Sequence, residues 1–374
     1  MVKAADKLLV FCFIIFLSGM LIFNILTPDR GFSQRENRYL AAPPEFSWKS
    51  ISSGKFSQEF EEYITDEFAL RDQWVLFKSD MERLLLKTEN NGIFFGRDGY
   101  LLEDFQRPGA ALDRNIGNIN RFIDTFPDIA VHMALAPNSV AIYPEKLPPF
   151  AKVHDQQLVT EQVQAELQND ILIPLYKTLL NHKDDYIYYR TDHHWTTLGA
   201  YYAYVEMADV LGFTPLDISE FDTKTAADEF WGTYFSRANN RYLNSDTLPV
   251  MLPQEPVQVQ VEFNDRDGIY DSLYFPGHLE TRDKYNLFLD GNHPLTTITT
   301  DVGNGRKLAV FKDSYAHCLL PFLAQHYEEI HVIDLRFYKA SLGPYLEEHN
   351  IQQALFLYSI SSFSNNNSIT GFRP

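Results

Sequence analysis

The sequence predicts an α/β protein with a parallel sheet, set behind an N-terminal apolar helix and a helical neck. Three stretches carry this prediction. Residues 308–360 alternate, with apolar strand-like runs at 308–311, 330–335 and 354–360 separated by helical patterns at 315–327 and 342–349. A βαβαβ order implies parallel strands, because each helix carries the chain back to the same end of the sheet. Residues 129–136 (IAVHMALA) add a buried strand that stops at Pro137. Residues 8–26 form a nearly continuous apolar run of the length that spans a bilayer.

Lys3 and Lys7 precede that run. A cleaved signal peptide is the competing reading, but its apolar core is usually shorter and ends in a small-x-small site. No convincing site of that kind follows Leu26. Residues 1–27 therefore read as an uncleaved transmembrane anchor. The flanking charges, Lys3 and Lys7 against Arg30, Arg35 and Arg38, do not by themselves favour an inside N-terminus. Large domains, however, cross largely regardless of such charges.

Residues 28–88 read as a polar, Pro-marked linker and a helical neck. Phe60, Ile64, Phe68, Trp74, Val75, Phe77 and Leu84 carry the helical rhythm. The domain assigned to 89–374 opens with NNGIFFGRDGYLLED, a β-hairpin with turns near 90–92 and 97–99. A helix is expected at 158–180 and a strand at 186–190. Residues 213–300 are mixed, rich in Asp, Pro and Asn, with a strand-like VQVQVEF from Val257. A polar SNNNS tract lies near the C-terminus.

At 45% hydrophobic and 14% aromatic residues, the chain fills a sizeable core. Its net charge of −18 argues against nucleic acid, since no basic surplus faces phosphates. Cys12 lies in the apolar run and Cys318 stands alone in the remainder. That excludes an internal disulfide framework and a Cys-based zinc site.

The chemistry gathers in residues 186–204, YIYYRTDHHWTTLGAYYAY. Asp192 and His194 are two residues apart. In an extended segment they project to one side, where the carboxylate holds the imidazole in one tautomer. Thr196 or Thr197 then caps a helix that begins near Leu198. The nucleophile candidate is Ser314 in KLAVFKDSYAH (307–317), at a strand–turn–helix junction. Ligands bind at that edge of open α/β sheets, and helix N-terminal N–H groups there stabilise an oxyanion. The plainer reading makes Ser314 an ordinary N-cap. Ser314, His194 and Asp192 together are the residue types of an acyl-transfer triad, whatever their chain order. His317 is a rival base, awkwardly placed beside Ser314. His193 would point away from His194 on a strand, so the pair does not predict a metal site.

TDHHWTTLGA (191–200) with the later DS resembles the SGNH-hydrolase-like proteins of bacterial exopolysaccharide O-acetylation, alginate included. The literal DHHW at 192–195 is similar to the bacterial DHHW family. DEFALRDQWVLFK (66–78), NNGIFFGRDGYLLED (90–104) and YPEKLP (143–148) extend the likeness over most of the chain after the apolar run.

The resemblance implies an SGNH-like three-layer α/β/α domain, anchored in the cell membrane and facing outward. It implies acetyl transfer to or from a polysaccharide, with Ser314 as nucleophile, His194 as base and Asp192 as the orienting acid. It also implies a multi-span membrane O-acyltransferase as partner, supplying the acetyl group. No cofactor or metal is expected. Lys312 replaces the usual Gly of GDS, and Pro137, Asn138 and Ser139 stand where an alginate-type Lys is usual. Gly232 in FWGTYF is then a candidate backbone oxyanion donor and Asn138 a side-chain one. Trp195 reads as core or as a stacking residue near the site, and the many Tyr and Phe as core or as a sugar platform. An O-acetylesterase using the same triad is the alternative function. A non-catalytic glycan-binding subunit of an export complex is the second.

Overall fold

The computed structural model describes residues 4–366 and 369, and the chain divides into two compact units. Lys3 and the end of the SNNNS tract lie outside the described residues.

The first unit is residues 1–87 with 239–241. Helix α1 (Ala4–Leu26) has a mean hydropathy of 2.7 over its most apolar 18 residues and buries none of its side chains, as fits a single-pass anchor. The neck is two helices, α2 (Lys55–Asp66) and α3 (Arg71–Leu84). The continuous helical rhythm expected there breaks at 67–70, where Leu70 takes a left-handed conformation (φ 58°). Arg38 closes a bidentate pair with Asp66 at the end of α2, at 2.7 and 2.5 Å.

The second unit is residues 88–238 with 242 onward. Its eight-stranded sheet contains β1 (Ala130–Ala136), β2 (Leu172–Ile173), β3 (Val259–Phe263), β4 (Arg266–Tyr270), β5 (Leu295–Thr300), β6 (Lys307–Lys312), β7 (Glu329–Ile333) and β8 (Gln353–Ser359). The order is β4-β3-β5-β7-β6-β8-β1-β2. Strands β7, β6, β8, β1 and β2 are parallel, whereas β5, β3 and β4 add antiparallel at one edge. The sheet is therefore mixed, which corrects the all-parallel expectation. The added strands come from 259–300, where burial alternates (iBiBiB along β5) as on a half-covered sheet.

The parallel strands are mostly apolar and buried, and helices seal them. Helix α4 (Ala110–Thr125) sets Phe122 edge-on against Phe311 of β6 and Phe356 of β8, at centroid distances of 5.3 and 5.2 Å. After β6 the chain goes to β7 on one side, and β8 returns on the other. That reversal opens a crevice at the C-terminal end of β6.

Four other expectations change. NNGIFFGRDGYLLED forms three short antiparallel strands with the expected turns between them. The 158–180 helix breaks into Gln156–Glu166 and Leu175–Asn181 around Pro174. After Ser314 there is a 3₁₀ turn and one turn of helix at Leu320–Leu323 instead of a long helix. Residues 186–190 are not a strand. The chain doubles back there, leaving one bridge between Tyr188 and Trp195.

Candidate active site

The DHHW segment is a tight loop held from three directions. Its ends are tied by the Thr196 N–H to the Ile187 carbonyl at 2.9 Å, and Thr196 caps helix α5 (Thr197–Leu211) as expected. Asp246 accepts the N–H groups of Arg190 and Thr191 and the Thr191 hydroxyl, at 3.0, 2.8 and 2.6 Å. From the Ser314 side, the Trp195 indole N–H donates to the Tyr315 carbonyl at 2.9 Å, and the Tyr315 hydroxyl donates to the His193 carbonyl.

Inside that loop Asp192 folds back on its own chain. Its Oδ1 accepts the His194 backbone N–H at 3.0 Å and lies 2.5 Å from His194 Nδ1. The two-residue spacing thus joins the side chains through an Asx-type turn, where the sequence suggested a strand. Asp192 Oδ2 accepts the Thr233 N–H at 2.7 Å. With Nδ1 donating to the carboxylate, His194 Nε2 is left as an acceptor, and Ser314 Oγ lies 2.7 Å from it. Asp192 and His194 are buried, at 2% and 4% exposure.

Ser314 comes from the end of β6. The N-cap there is Asp313, not Ser314: its Oδ1 accepts the Tyr315 N–H at 2.9 Å. Asp313 Oδ2 accepts both the N–H and the hydroxyl of Ser359, at the end of β8, each at 2.9 Å. Asn138 stands just past the end of β1. The C-terminal ends of three neighbouring strands thus converge on one cavity of about 350 Å³. Ser314, His193, Asn138, Arg237 and Arg336 line it, with the hydroxyls and amides of Ser359, Ser361, Ser362, Asn365 and Asn366.

The electrostatics keep His194 neutral. Burial raises the Asp192 carboxyl, but the two neighbouring imidazoles outweigh it and hold it well below the usual range. Burial and then the charge of His193 lower His194 to about 4, against the pull of Asp192. His193 moves the other way: burial lowers it, and Asp192 more than compensates. The two rings stand 3.7 Å apart and the donor atoms of Asp192, His193 and His194 lie within 4.8 Å of one another. His193 and His194 therefore do not point to opposite faces, because the loop is not extended. A metal bound by all three would have to displace the Asp192–His194 hydrogen bond.

The remaining candidates separate. Gly232 does not offer its N–H to the cavity, since that group donates to Thr191 Oγ1 at 3.3 Å. Its task is proximity: a Cβ there would stand 2.2 Å from the Asp192 Cβ. Trp195 is fully buried and does not line the cavity. Asn138 does, with its Nδ2 donating to the Tyr315 hydroxyl at 3.0 Å and its Oδ1 accepting from Gln156 and Ser361. His317 lies 2.6 Å from Lys312 Nζ and is committed there. Lys312, in the Gly position, is buried and turned toward Asp334, Asn292 and His317. Burial pushes its ammonium down to about 8, against the pull of Asp334.

Sequence reasoning missed Tyr285 and Asp246. The Tyr285 ring stacks on His194 at 3.7 Å and 8°. Neither has a local signature, because both come from the mixed 213–300 region and reach the loop only through the fold.

An α/β sheet with a Ser, a His and an Asp hydrogen-bonded in series at its C-terminal edge defines a class of protein, and sequence comparison narrows it. Residues 167–333 match the family model described as DHHW protein. A DHHW family protein from Eubacterium siraeum has a similar structure, with a TM-score of 0.67 and 25% identity, covering 76% of this chain and 96% of that one. Bacillus cereus PatB1, solved with a sulfonyl adduct, shares the fold at 19% identity and a TM-score of 0.64, over 75% of this chain and 98% of that one. Among curated proteins, the chain is 25% identical over 269 residues to the probable alginate O-acetylase AlgJ of Pseudomonas fluorescens. The match covers 67% of this chain and spans 63% of that relative's length.

Proposed function

We propose that this protein is an SGNH-type O-acetyltransferase that esterifies a polysaccharide on the outer face of a membrane, through an acetyl-serine on Ser314. The observation that carries the reading is the run from Ser314 Oγ through His194 to Asp192, 2.7 and 2.5 Å long, beside a polar cavity. The relation to a probable alginate O-acetylase supports a polysaccharide acceptor, and helix α1 fits an anchor that keeps the domain beside its substrate.

In the first half-reaction, Ser314 Oγ attacks the carbonyl carbon of an acetyl ester while His194 Nε2 takes its proton. The tetrahedral oxyanion develops near the Ser314 N–H and Asn138 Nδ2, donors on two residues that line the cavity. The ester C–O bond breaks, and the leaving alkoxide takes the proton from the imidazolium. In the second half, a sugar hydroxyl attacks the acetyl-serine. His194 takes the hydroxyl proton and returns it to Ser314 Oγ. Asp192 holds the tautomer throughout and stabilises the imidazolium. The hydroxyl- and amide-rich wall suits a sugar more than a long acyl chain, so the acyl group is small. The donor is an activated acetyl group, passed on by a multi-span O-acyltransferase in the same membrane.

Incubation of the protein with p-nitrophenyl acetate, followed by intact mass and peptide mapping, tests the reading. An acetyl group on Ser314, absent in His194→Ala and discharged faster by an oligosaccharide than by water, is the expected result. Discharge to water alone would make the protein an O-acetylesterase. A folded protein with no adduct on Ser314 overturns both.

A further inference from the structure

The neck carries apolar side chains that nothing in its own unit covers. Ile64, Phe68, Leu70 and Trp74 are 47%, 40%, 51% and 47% exposed. All four lie at the corner between α2 and α3. Scattered exposed apolar residues mean little, but a contiguous group does.

The place of that corner along α1 decides what it meets. The Ala69 N–H donates to Asn24 Oδ1 at 2.8 Å, and Asn24 Nδ2 donates to the Met20 carbonyl at 2.8 Å. Asn24 lies in the last turn of the apolar run, two residues before Leu26. The 19 residues from Leu8 to Leu26 cover about 28 Å at about 1.5 Å each, against about 30 Å of bilayer hydrocarbon. No length is left over, so Asn24 sits at the hydrocarbon boundary and the corner bonded to it sits at the same depth. The joint is also fixed. Glu67 accepts the Arg30 N–H at 2.9 Å, Arg30 pairs with Asp72 at 2.8 Å, and the Tyr63 hydroxyl donates to Asp29 at 3.0 Å. These charged groups lie just beyond the run, at the headgroup level, with the apolar corner beside them.

We propose that the α2–α3 corner is a monotopic collar whose apolar residues lie in the lipid bilayer around the exit of α1. The partner is lipid, because the corner is bonded to the apolar run itself at hydrocarbon depth. Trp74 has the amphipathic ring that favours this boundary. With α1, the collar makes a second attachment and restricts the tilt of the neck. The inference rests on the reading of α1 as an uncleaved anchor.

The test uses the full chain in phosphatidylcholine vesicles, with Cys12→Ser as background and the buried Cys318 left in place. Spin labels are placed in turn at Phe68→Cys, Leu70→Cys and Trp74→Cys, with Val205→Cys, exposed on α5, as the reference. Collisions with oxygen several-fold more frequent than with a water-soluble nickel chelate, relative to position 205, are the expected result. Nickel access equal to that at 205 would put the corner in water and overturn the collar. Protection from both reagents would show a protein covering and overturn it too. Extraction of the vesicles at alkaline pH separates the two readings. Release of the chain sinks the anchor and the collar together, whereas a retained chain with nickel-accessible labels sinks the collar alone.

Discussion

His194 is the residue on which the contacts of the site converge. Asp192 is bonded to its Nδ1 at 2.5 Å, Tyr285 lies flat against its ring, and His193 stands 3.7 Å away with a charge that opposes a second one. As the proposed base, His194 must be neutral to accept a proton, so activity is expected to fall as pH drops through its value of about 4. The His193 cation is one of the causes lowering His194. Replacing it by a neutral side chain therefore raises the His194 value, and the acid limb moves to higher pH. We expect His193→Gln to shift the acid limb of kcat/KM upward by a measurable fraction of a pH unit, with activity near pH 8 reduced less than tenfold. A limb that stays put or moves down would assign it to another group.

At the scale of elements, one β-hairpin arranges the acid. Phe221–Phe230 pairs with Asp246–Pro253, and Phe230 is in register with Asp246. The first strand runs into Gly232 and Thr233, and the second begins at Asp246, so one element clamps both sides of the DHHW loop. Gly232 permits the closest approach, since any Cβ there overlaps Asp192. We expect Gly232→Ala to fold with reduced stability and to lose about 10²-fold in kcat, the order expected for about 1 Å of misplacement in a catalytic group. Thermal melts and steady-state kinetics on the same sample check this. Normal kcat with a lowered Tm would show that the hairpin serves stability alone.

Across the whole molecule, order should follow the parallel strands. Strands β6, β8 and β1 are buried along nearly their full length and carry the residues of the cavity, whereas edge strand β4 is largely exposed. Native-state amide exchange is therefore expected to be slowest in β6, β8 and β1, and faster in β4 by orders of magnitude. Uniform protection across the sheet would contradict a core centred on the crevice.

Much of this was legible in the chain. The apolar run specified α1, because a continuous stretch of that length needs no partner to be read. The strands β1, β6, β7 and β8 were legible for the same reason, and the TDHHW and DS segments marked Ser314, His194 and Asp192, which the fold brings within hydrogen-bond distance. What local pattern could not give was the antiparallel edge, the broken helices at 158–180 and after Ser314, the loop that replaced a strand at 186–190, and the task of Gly232. Each depends on contacts between residues far apart in sequence, such as Gly232 against Asp192 or Tyr285 against His194. By itself the sequence determined the residue types, the anchor-like helix and the parallel half of the sheet, since composition and periodicity act locally. Only the tertiary structure decided which atoms meet, because a 2.7 Å contact across 120 residues is made by the packing of the sheet and its loops and by nothing local.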